Sequence, residues 1–188
     1  SQTCSSPITA STRRRRARFA SRRKPQRYQP SGPLVEALRS RLPFPLTLSQ
    51  QQVVRELVGD LCQPHPMLRL LQGDVGCGKT VVAAMLMAVV AQSGYQTALM
   101  APTELLAEQH ARVLRGYFEP IGIAVRLISQ GLTAKPRNTV LQDVASGKAR
   151  VVVGTHALIQ GGVRFANLAL VIIDEQHKFG VVQRKALV

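Results

Sequence analysis

The feature that most constrains the fold is a regular alternation of apolar, strand-length runs with helical stretches after Pro66. The runs are rich in Val, Ile and Leu and lie at 67–71, 97–100, 123–128, 150–153 and 168–173. The helical stretches that separate them lie near 79–93, 103–118 and 137–146. Strands that alternate with helices form βαβ units, in which helices cover both faces of a parallel sheet. The sequence therefore predicts an α/β fold.

Two more helices are predicted ahead of this alternating region. A short amphipathic helix is expected over 33–41, where Pro33 suits the first helical turn. Thr47 or Ser49 can cap a second helix that runs to about Leu61.

The positive charge of the chain is concentrated at its start. The formal net charge is +15. Residues 1–41 contain eleven Lys or Arg and a single acid, Glu36. A strongly basic chain favours polyanionic partners, and nucleic acid is the first expectation. Residues 1–32 are also poor in apolar side chains, so we expect a basic, poorly ordered tail followed by a folded domain over 33–188.

Several other classes of protein are disfavoured. The longest apolar stretch, 81–91, is too short to span a bilayer. The three cysteines form no CxxC pair and the four histidines have no metal-ligand spacing, which favours a reduced, intracellular protein without structural zinc. The tail, rich in Ser, Thr and Arg, is compatible with an organelle transit peptide, although a fragment that begins inside a longer protein fits better.

A phosphate-binding loop follows the first apolar run. Residues 73–80, GDVGCGKT, fit the pattern G-x-x-x-x-G-K-[ST] and lie between a predicted strand and a predicted helix. Glycines allow backbone N–H groups to turn towards phosphate oxygens, and the helix adds the positive end of its dipole. Lys79 is expected to reach the β- and γ-phosphates of ATP, and the Thr80 hydroxyl to bind Mg²⁺.

An acidic pair ends the last apolar run. Asp174 and Glu175 follow the buried strand 168–173. Downstream of a phosphate loop, such a pair can divide the work of hydrolysis: Asp174 holds Mg²⁺, directly or through water, and Glu175 orients and deprotonates the attacking water.

With Gln176 and His177, this pair resembles the Asp-Glu-x-His motif of superfamily 2 helicases. That resemblance implies that His177 couples the nucleotide state to the nucleic-acid-binding side of the motor. Residues 42–47 (LPFPLT), followed by Gln50, likewise resemble the adenine-recognition segment of these proteins. A Gln amide can pair with N6 and N7 of adenine, and Phe44 can stack on the ring. The residues assigned to nucleotide binding are thus Phe44, Gln50, Gly73, Asp74, Val75, Gly76, Cys77, Gly78, Lys79 and Thr80.

Two further segments resemble helicase motifs that hold the nucleic-acid backbone: 101–110 (APTELLAEQH) and 154–160 (GTHALIQ). Thr103 and Thr155 are the candidate DNA contacts. Both are also suited to capping a helix, and the two roles are compatible.

The combination of PTELLAEQH, GTHALIQ and DEQHKFGVVQR resembles RecG-type ATP-dependent DNA helicases over about 31–188. The segment 129–131, Ser-Gln-Gly, departs from the usual Thr-Gly-Ser of that family, which puts one backbone contact in doubt. The resemblance implies a RecA-like P-loop domain and an ATP-driven motor for branched double-stranded DNA in recombination and repair. It also implies a cytoplasmic, nucleoid-associated bacterial protein.

In that family, a wedge domain precedes this lobe and a second RecA-like lobe with arginine fingers follows it. We therefore expect the 188-residue chain to bind ATP weakly and to be inactive as a helicase by itself. The alternatives are a transcription-repair coupling translocase, whose first lobe is very similar, and a non-catalytic nucleic-acid-binding fragment. Intact Lys79, Thr80, Asp174 and Glu175 oppose the second alternative.

Overall fold

The computed structural model describes residues 8–12, 27–63, 67–74, 76–129, 131, 134–158 and 162–174. They divide into two units, Ser1–Val89 and Val90–Val188, and the division falls inside one helix. The predicted division into a tail over 1–32 and a domain over 33–188 stays a prediction.

The first unit contains a two-stranded sheet and three helices. Strand β1 (Thr9–Thr12) pairs antiparallel with β2 (Arg69–Gln72), with Thr9 opposite Gln72. Helices α1 (Pro33–Arg41) and α2 (Leu48–Leu61) lie between them in the chain, and α3 (Lys79–Gln92) follows β2. The apolar side chains of α3 are buried from Val82 to Ala91, as is typical of a helix that is hydrophobic on all sides.

The start of α2 is fixed by a capping box. The Thr47 hydroxyl accepts a hydrogen bond from the backbone N–H of Gln50, while the Gln50 side chain accepts one from the backbone N–H of Thr47. Two N–H groups that a helix start leaves unpaired are thereby satisfied. Thr47, and not Ser49, is therefore the cap of α2.

The second unit is built on a parallel sheet of four strands in the order β4-β5-β3-β6. The strands are β3 (Gln96–Met100), β4 (Ala124–Ile128), β5 (Ala149–Gly154) and β6 (Leu168–Ile173). Helix α4 (Glu104–Phe118) connects β3 to β4, and α5 (Ala134–Ala145) connects β4 to β5. These four strands and the two crossover helices confirm the predicted α/β fold.

The core of the second unit follows from the alternation of side chains along its strands. Ala98, Met100 and Val152 form one apolar cluster together with Val144 of α5. Helix α4 contacts β4 and β5, and its buried residues do not belong to that cluster, which places α4 on the other face of the sheet. The pair Arg126–Asp143 joins β4 to α5 at 2.8 Å, and its hydrogen bond lowers the pKa of Asp143.

One predicted strand does not join the parallel sheet. The run 67–71 appears as β2, whose partner is β1 in a segment predicted to be a poorly ordered tail. The physical reason is that every strand must pair its backbone N–H and C=O groups, and the apolar Ile8 and the Thr-rich stretch after it offer an adjacent strand. Of the predicted tail, the structure describes only 8–12 and 27–32.

A buried glutamine joins four segments at the amino-terminal edge of the sheet. The Gln96 side chain is 1% exposed. Its Nε2 donates to the carbonyls of Val144 (2.9 Å) and Ala149 (2.8 Å), and its Oε1 accepts from the backbone N–H of Asn167 (2.9 Å). The amide thus connects the start of β3 to the end of α5, the start of β5 and the segment before β6.

Candidate nucleotide-binding site

The phosphate loop joins the end of β2 to the start of α3. Gly76 and Gly78 have φ angles of 82° and 90°, in the left-handed region where a side chain would be strained. The Cys77 N–H donates to the Asp74 carbonyl at 3.2 Å, and the N–H groups of Val81 and Val82 bond to the Gly78 carbonyl as α3 begins. Val75 lies outside the described residues.

The Lys79 ammonium lies against the loop itself. Its Nζ donates to the carbonyls of Gly73 (2.6 Å) and Asp74 (2.8 Å). It also lies 3.8 Å from the Cys77 Sγ, which is buried. A lysine ammonium at this position is a compact point charge that can bind phosphate oxygens.

Gln50 contacts the phosphate loop directly. Its Nε2 donates to the Cys77 carbonyl at 2.9 Å, while its Oε1 remains in the capping box with Thr47. The approach is so close that a Cβ added to Gly78 would lie 2.3 Å from this Nε2. Each end of the amide therefore already has one protein partner, and adenine recognition by this amide stays a prediction.

Two more predicted nucleotide ligands flank these groups in the chain. The Phe44 side chain is 78% exposed, which leaves its ring faces accessible for stacking. Thr80 is the second residue of α3 and is half-buried. Their contacts with ATP and Mg²⁺ stay predictions.

In the second unit, Asp174 follows β6 at the carboxyl-terminal edge of the sheet. Its backbone N–H donates to the Met100 carbonyl at 2.8 Å, which extends the ladder between β6 and β3 by one residue. Its Oδ2 lies 2.9 Å from Nε2 of His110 on α4. Because a carboxylate only accepts hydrogen bonds, the imidazole is the donor.

The sequence motifs give His110 no individual role, although it lies in the PTELLAEQH segment. It is 64 residues from Asp174 in the chain, so spacing alone gave no reason to pair them. The sequence signal for this contact lies in the topology alone. Parallel strands end at the same edge of a sheet, so the helix after β3 starts at the edge where Asp174 follows β6.

The predicted DNA contacts differ in their surroundings. Thr103 is exposed and caps α4, since its hydroxyl accepts from the Leu106 N–H at 3.3 Å. Thr155 is only 3% exposed, and its hydroxyl donates to Oε1 of Glu104 at 3.4 Å. The Thr155 side chain therefore supports the start of α4, and contact of either threonine with DNA stays a prediction.

Glycine is required just before Thr155 by close packing. A Cβ added to Gly154 would lie 2.7 Å from the Ile128 carbonyl oxygen and 3.0 Å from the Leu158 side chain. The ends of β4 and β5 approach each other at this point, which fixes where the segment after β5 leaves the sheet.

The remaining predicted site residues, Glu175 and His177, lie outside the described residues, as does Gln130 in the segment that departs from the RecG pattern. Within the described ranges, no cluster of three or more His, Cys, Asp or Glu is placed to hold a metal ion. In the same part of the chain, no helix combines the length and apolar character needed to cross a bilayer.

These features define a P-loop nucleotide-binding protein: a glycine-rich loop connects a strand to a helix, and the lysine at the start of the helix bonds to the loop carbonyls. The profile of the DEAD/DEAH box helicase family matches residues 47–188. The chain belongs to this family, whose members use ATP.

Within the family, the chain is similar to RecG helicases. It is 53% identical over 146 residues to the ATP-dependent DNA helicase RecG of Bacillus subtilis (strain 168). The aligned region covers 78% of this chain and 21% of that protein. It is 50% identical over 154 residues to RecG of Pasteurella multocida (strain Pm70), and the aligned region covers 82% of this chain and 22% of that protein. The chain thus spans about a fifth of the length of these relatives. The resemblance predicted from the motifs is confirmed.

One solved structure agrees with this assignment, and a second shares the fold. A structure of RecG bound to a three-way DNA junction superposes with a TM-score of 0.77 at 43% identity, over 82% of this chain and 21% of that one. A hypothetical ATP-dependent RNA helicase from Sulfolobus tokodaii superposes with a TM-score of 0.55 at 20% identity, over 76% of this chain and 41% of that one. The second likeness supports the fold alone.

Proposed function

We propose that this chain is the ATP-binding lobe of a RecG-type DNA helicase that acts on branched double-stranded DNA in recombination and repair. The observation that carries the proposal is the phosphate loop, where Lys79 is held by the Gly73 and Asp74 carbonyls and Gln50 is bonded to the Cys77 carbonyl. Because the chain spans about a fifth of its relatives, the helicase activity is proposed for the whole protein.

In this proposal, the loop residues bind the phosphates of ATP. The Lys79 ammonium leaves the loop carbonyls for the β- and γ-phosphates, and the loop N–H groups supply further donors. Glu175, next to the end of β6, orients the attacking water and accepts its proton. His177 transmits the nucleotide state to the DNA-binding segments.

The available donors fit Mg²⁺. The Thr80 hydroxyl and the Asp174 carboxylate are hard oxygen ligands, which Mg²⁺ prefers over nitrogen or sulfur. When bound, Mg²⁺ neutralises charge on the phosphates of ATP. Each of these two residues is proposed to contribute one ligand.

Adenine selection is assigned to Gln50 and Phe44. The Gln50 amide carries one acceptor and two donors, which match N6 and N7 of adenine and mismatch the O6 of guanine. The exposed Phe44 ring supplies a stacking surface.

The Gln50→Ala variant tests this assignment. We expect a loss of about tenfold in ATP affinity, because roughly 1–1.5 kcal/mol of hydrogen bonding to the base and the loop is removed. The preference for ATP over GTP should fall as well. Displacement of a fluorescent ATP analogue by ATP and by GTP measures both quantities.

Gln52→Ala is the matched control, since Gln52 is exposed on the same helix and its side chain donates to Glu56 one turn further along. It should bind both nucleotides as the wild type does. An unchanged ATP-to-GTP ratio in Gln50→Ala would leave Gln50 as a structural residue of the loop and would remove its proposed role in base selection.

DNA contact is assigned to the two segments that follow β3 and β5. Thr103 is exposed at the start of α4, where the helix dipole favours a phosphate group. The segment after β5 is held against α4 by Thr155 and Glu104, so both segments present one surface of the second unit. The basic residues of 1–32 are proposed as a linker that precedes the motor.

A further inference from the structure

The described residues place an imidazole on the carboxylate proposed to bind Mg²⁺. His110 Nε2 lies 2.9 Å from Asp174 Oδ2, and the two side chains are 19% and 35% exposed. Asp174 is anchored through its backbone to Met100, so its main chain is fixed by the sheet. What the sheet does not fix is the rotation of the carboxylate, and His110 is the group bonded to it.

Helix α4 holds this imidazole in a defined position. Ala107, three residues before His110, and Ala111, the residue after it, are both fully buried. Their small side chains let this stretch of α4 pack tightly, and the tight packing limits the movement of the His110 Cα. The hydrogen bond between His110 and Asp174 therefore joins two well-fixed backbones.

We propose that His110 is a positioning residue that orients the Asp174 carboxylate for Mg²⁺. With Oδ2 held by the imidazole, the carboxylate would offer its other oxygen, Oδ1, to the cation. The inference rests on the proposed function, because it requires Asp174 to be a Mg²⁺ ligand. Groups that hydrogen-bond to metal ligands in this way typically change metal affinity by about 10- to 100-fold when they are removed.

The same contact has an opposite reading with a measurable consequence. If His110 instead competed with the cation for Asp174, its removal would strengthen Mg²⁺ binding. The geometry favours orientation, because a carboxylate has two oxygens and the imidazole bonds to one of them. The sign of the change in Mg²⁺ affinity therefore decides between the two readings.

The experiment is a Mg²⁺ titration of the 188-residue chain with a fluorescent ATP analogue, read as nucleotide binding and not as turnover. In His110→Ala, we expect the Mg²⁺ concentration for half-maximal enhancement of binding to rise about tenfold. Affinity measured in EDTA, which depends on the phosphate loop, should stay within about twofold of the wild type.

Two variants control for structural damage. Gln109→Ala changes an exposed residue of the same helix and should leave the Mg²⁺ requirement unchanged. His110→Gln keeps an N–H donor of similar reach and should restore most of the lost Mg²⁺ affinity. Thermal unfolding of each variant, followed by circular dichroism, shows whether it is folded. If His110→Ala is not folded, His110→Leu carries the test, because leucine keeps much of the side-chain volume and lacks the N–H donor.

The double variant His110→Ala/Asp174→Asn completes the comparison. If His110 acts through Asp174, its removal should have little further effect once the carboxylate is gone. Equal or higher Mg²⁺ affinity in His110→Ala, with Mg²⁺-dependent binding intact in the wild type, overturns the role of His110 alone. Absence of any Mg²⁺-dependent nucleotide binding in the wild type overturns the proposed function and this inference together.

Discussion

Replacing Lys79 by alanine should lower the affinity of the chain for ATP by roughly a hundredfold. The Lys79 ammonium is bonded to two carbonyls of the phosphate loop. Its Nζ lies 2.6 Å from the Gly73 oxygen and 2.8 Å from the Asp74 oxygen. Two charge-assisted bonds to phosphate oxygens contribute about 3 kcal/mol in total, which corresponds to about two orders of magnitude in affinity.

The measurement is an equilibrium titration with a fluorescent ATP analogue at saturating Mg²⁺. Lys135→Ala is the matched control, because Lys135 is an exposed lysine near the start of α5. It removes the same charge from the chain and should bind ATP as the wild type does. Affinity within threefold of the wild type for Lys79→Ala would show that the loop does not bind phosphate through this lysine.

Replacing Gln96 by leucine should destabilise the second unit by about 3–5 kcal/mol. Leucine fills the space but leaves two carbonyls, of Val144 and Ala149, and the Asn167 N–H without their side-chain partner. A buried polar group that loses its hydrogen bond costs about 1–3 kcal/mol. For a chain of this length, the midpoint of thermal unfolding should fall by about 10 °C.

Gln142→Leu is the control for this change, since Gln142 is exposed on α5 and its substitution adds the same side chain. It should shift the midpoint by less than about 2 °C. Thermal unfolding followed by circular dichroism measures both variants. A Gln96→Leu variant as stable as the wild type would mean that the edge of the sheet rearranges to satisfy these groups.

The helices and the parallel strands were predictable because their signals are local. Alternation of apolar runs with helical periods located β3, β4, β5 and β6 to within one residue at each end. Pro33 indicates the start of α1, and the choice between Thr47 and Ser49 places the start of α2 to within two residues. The first residue of α5 is Ala134, three residues before the predicted start, and helix ends are where such signals are weakest.

The pairing of β2 was not predictable, because it depends on which strand reaches it. The backbone N–H and C=O groups of β2 can be paired equally well by β1 or by a strand of the parallel sheet. The hydropathy of the run 67–71 is the same in either case and does not distinguish the two partners. Composition pointed away from a strand at 9–12, since the surrounding segment is polar and basic. Strand partners are chosen by tertiary contacts, which a local pattern does not record.

In the candidate site, the residue types were predictable and their partners were not. The motif identified Lys79 and Gln50, but only the structure shows the first bonded to loop carbonyls and the second to the Cys77 carbonyl. The contact between His110 and Asp174 spans 64 residues and depends on how α4 lies on the sheet. Such long-range contacts follow from packing and not from spacing.

The most direct test of the account is the steady-state ATPase of this chain, with and without a three-way DNA junction, alongside Glu175→Gln. We predict saturable ATP binding with turnover near background in every case, because the resemblance to RecG-type helicases implies that a second lobe supplies the arginines that stabilise the transition state. Junction-stimulated turnover that disappears in Glu175→Gln would contradict this, and would show that the 188 residues hydrolyse ATP without a second lobe.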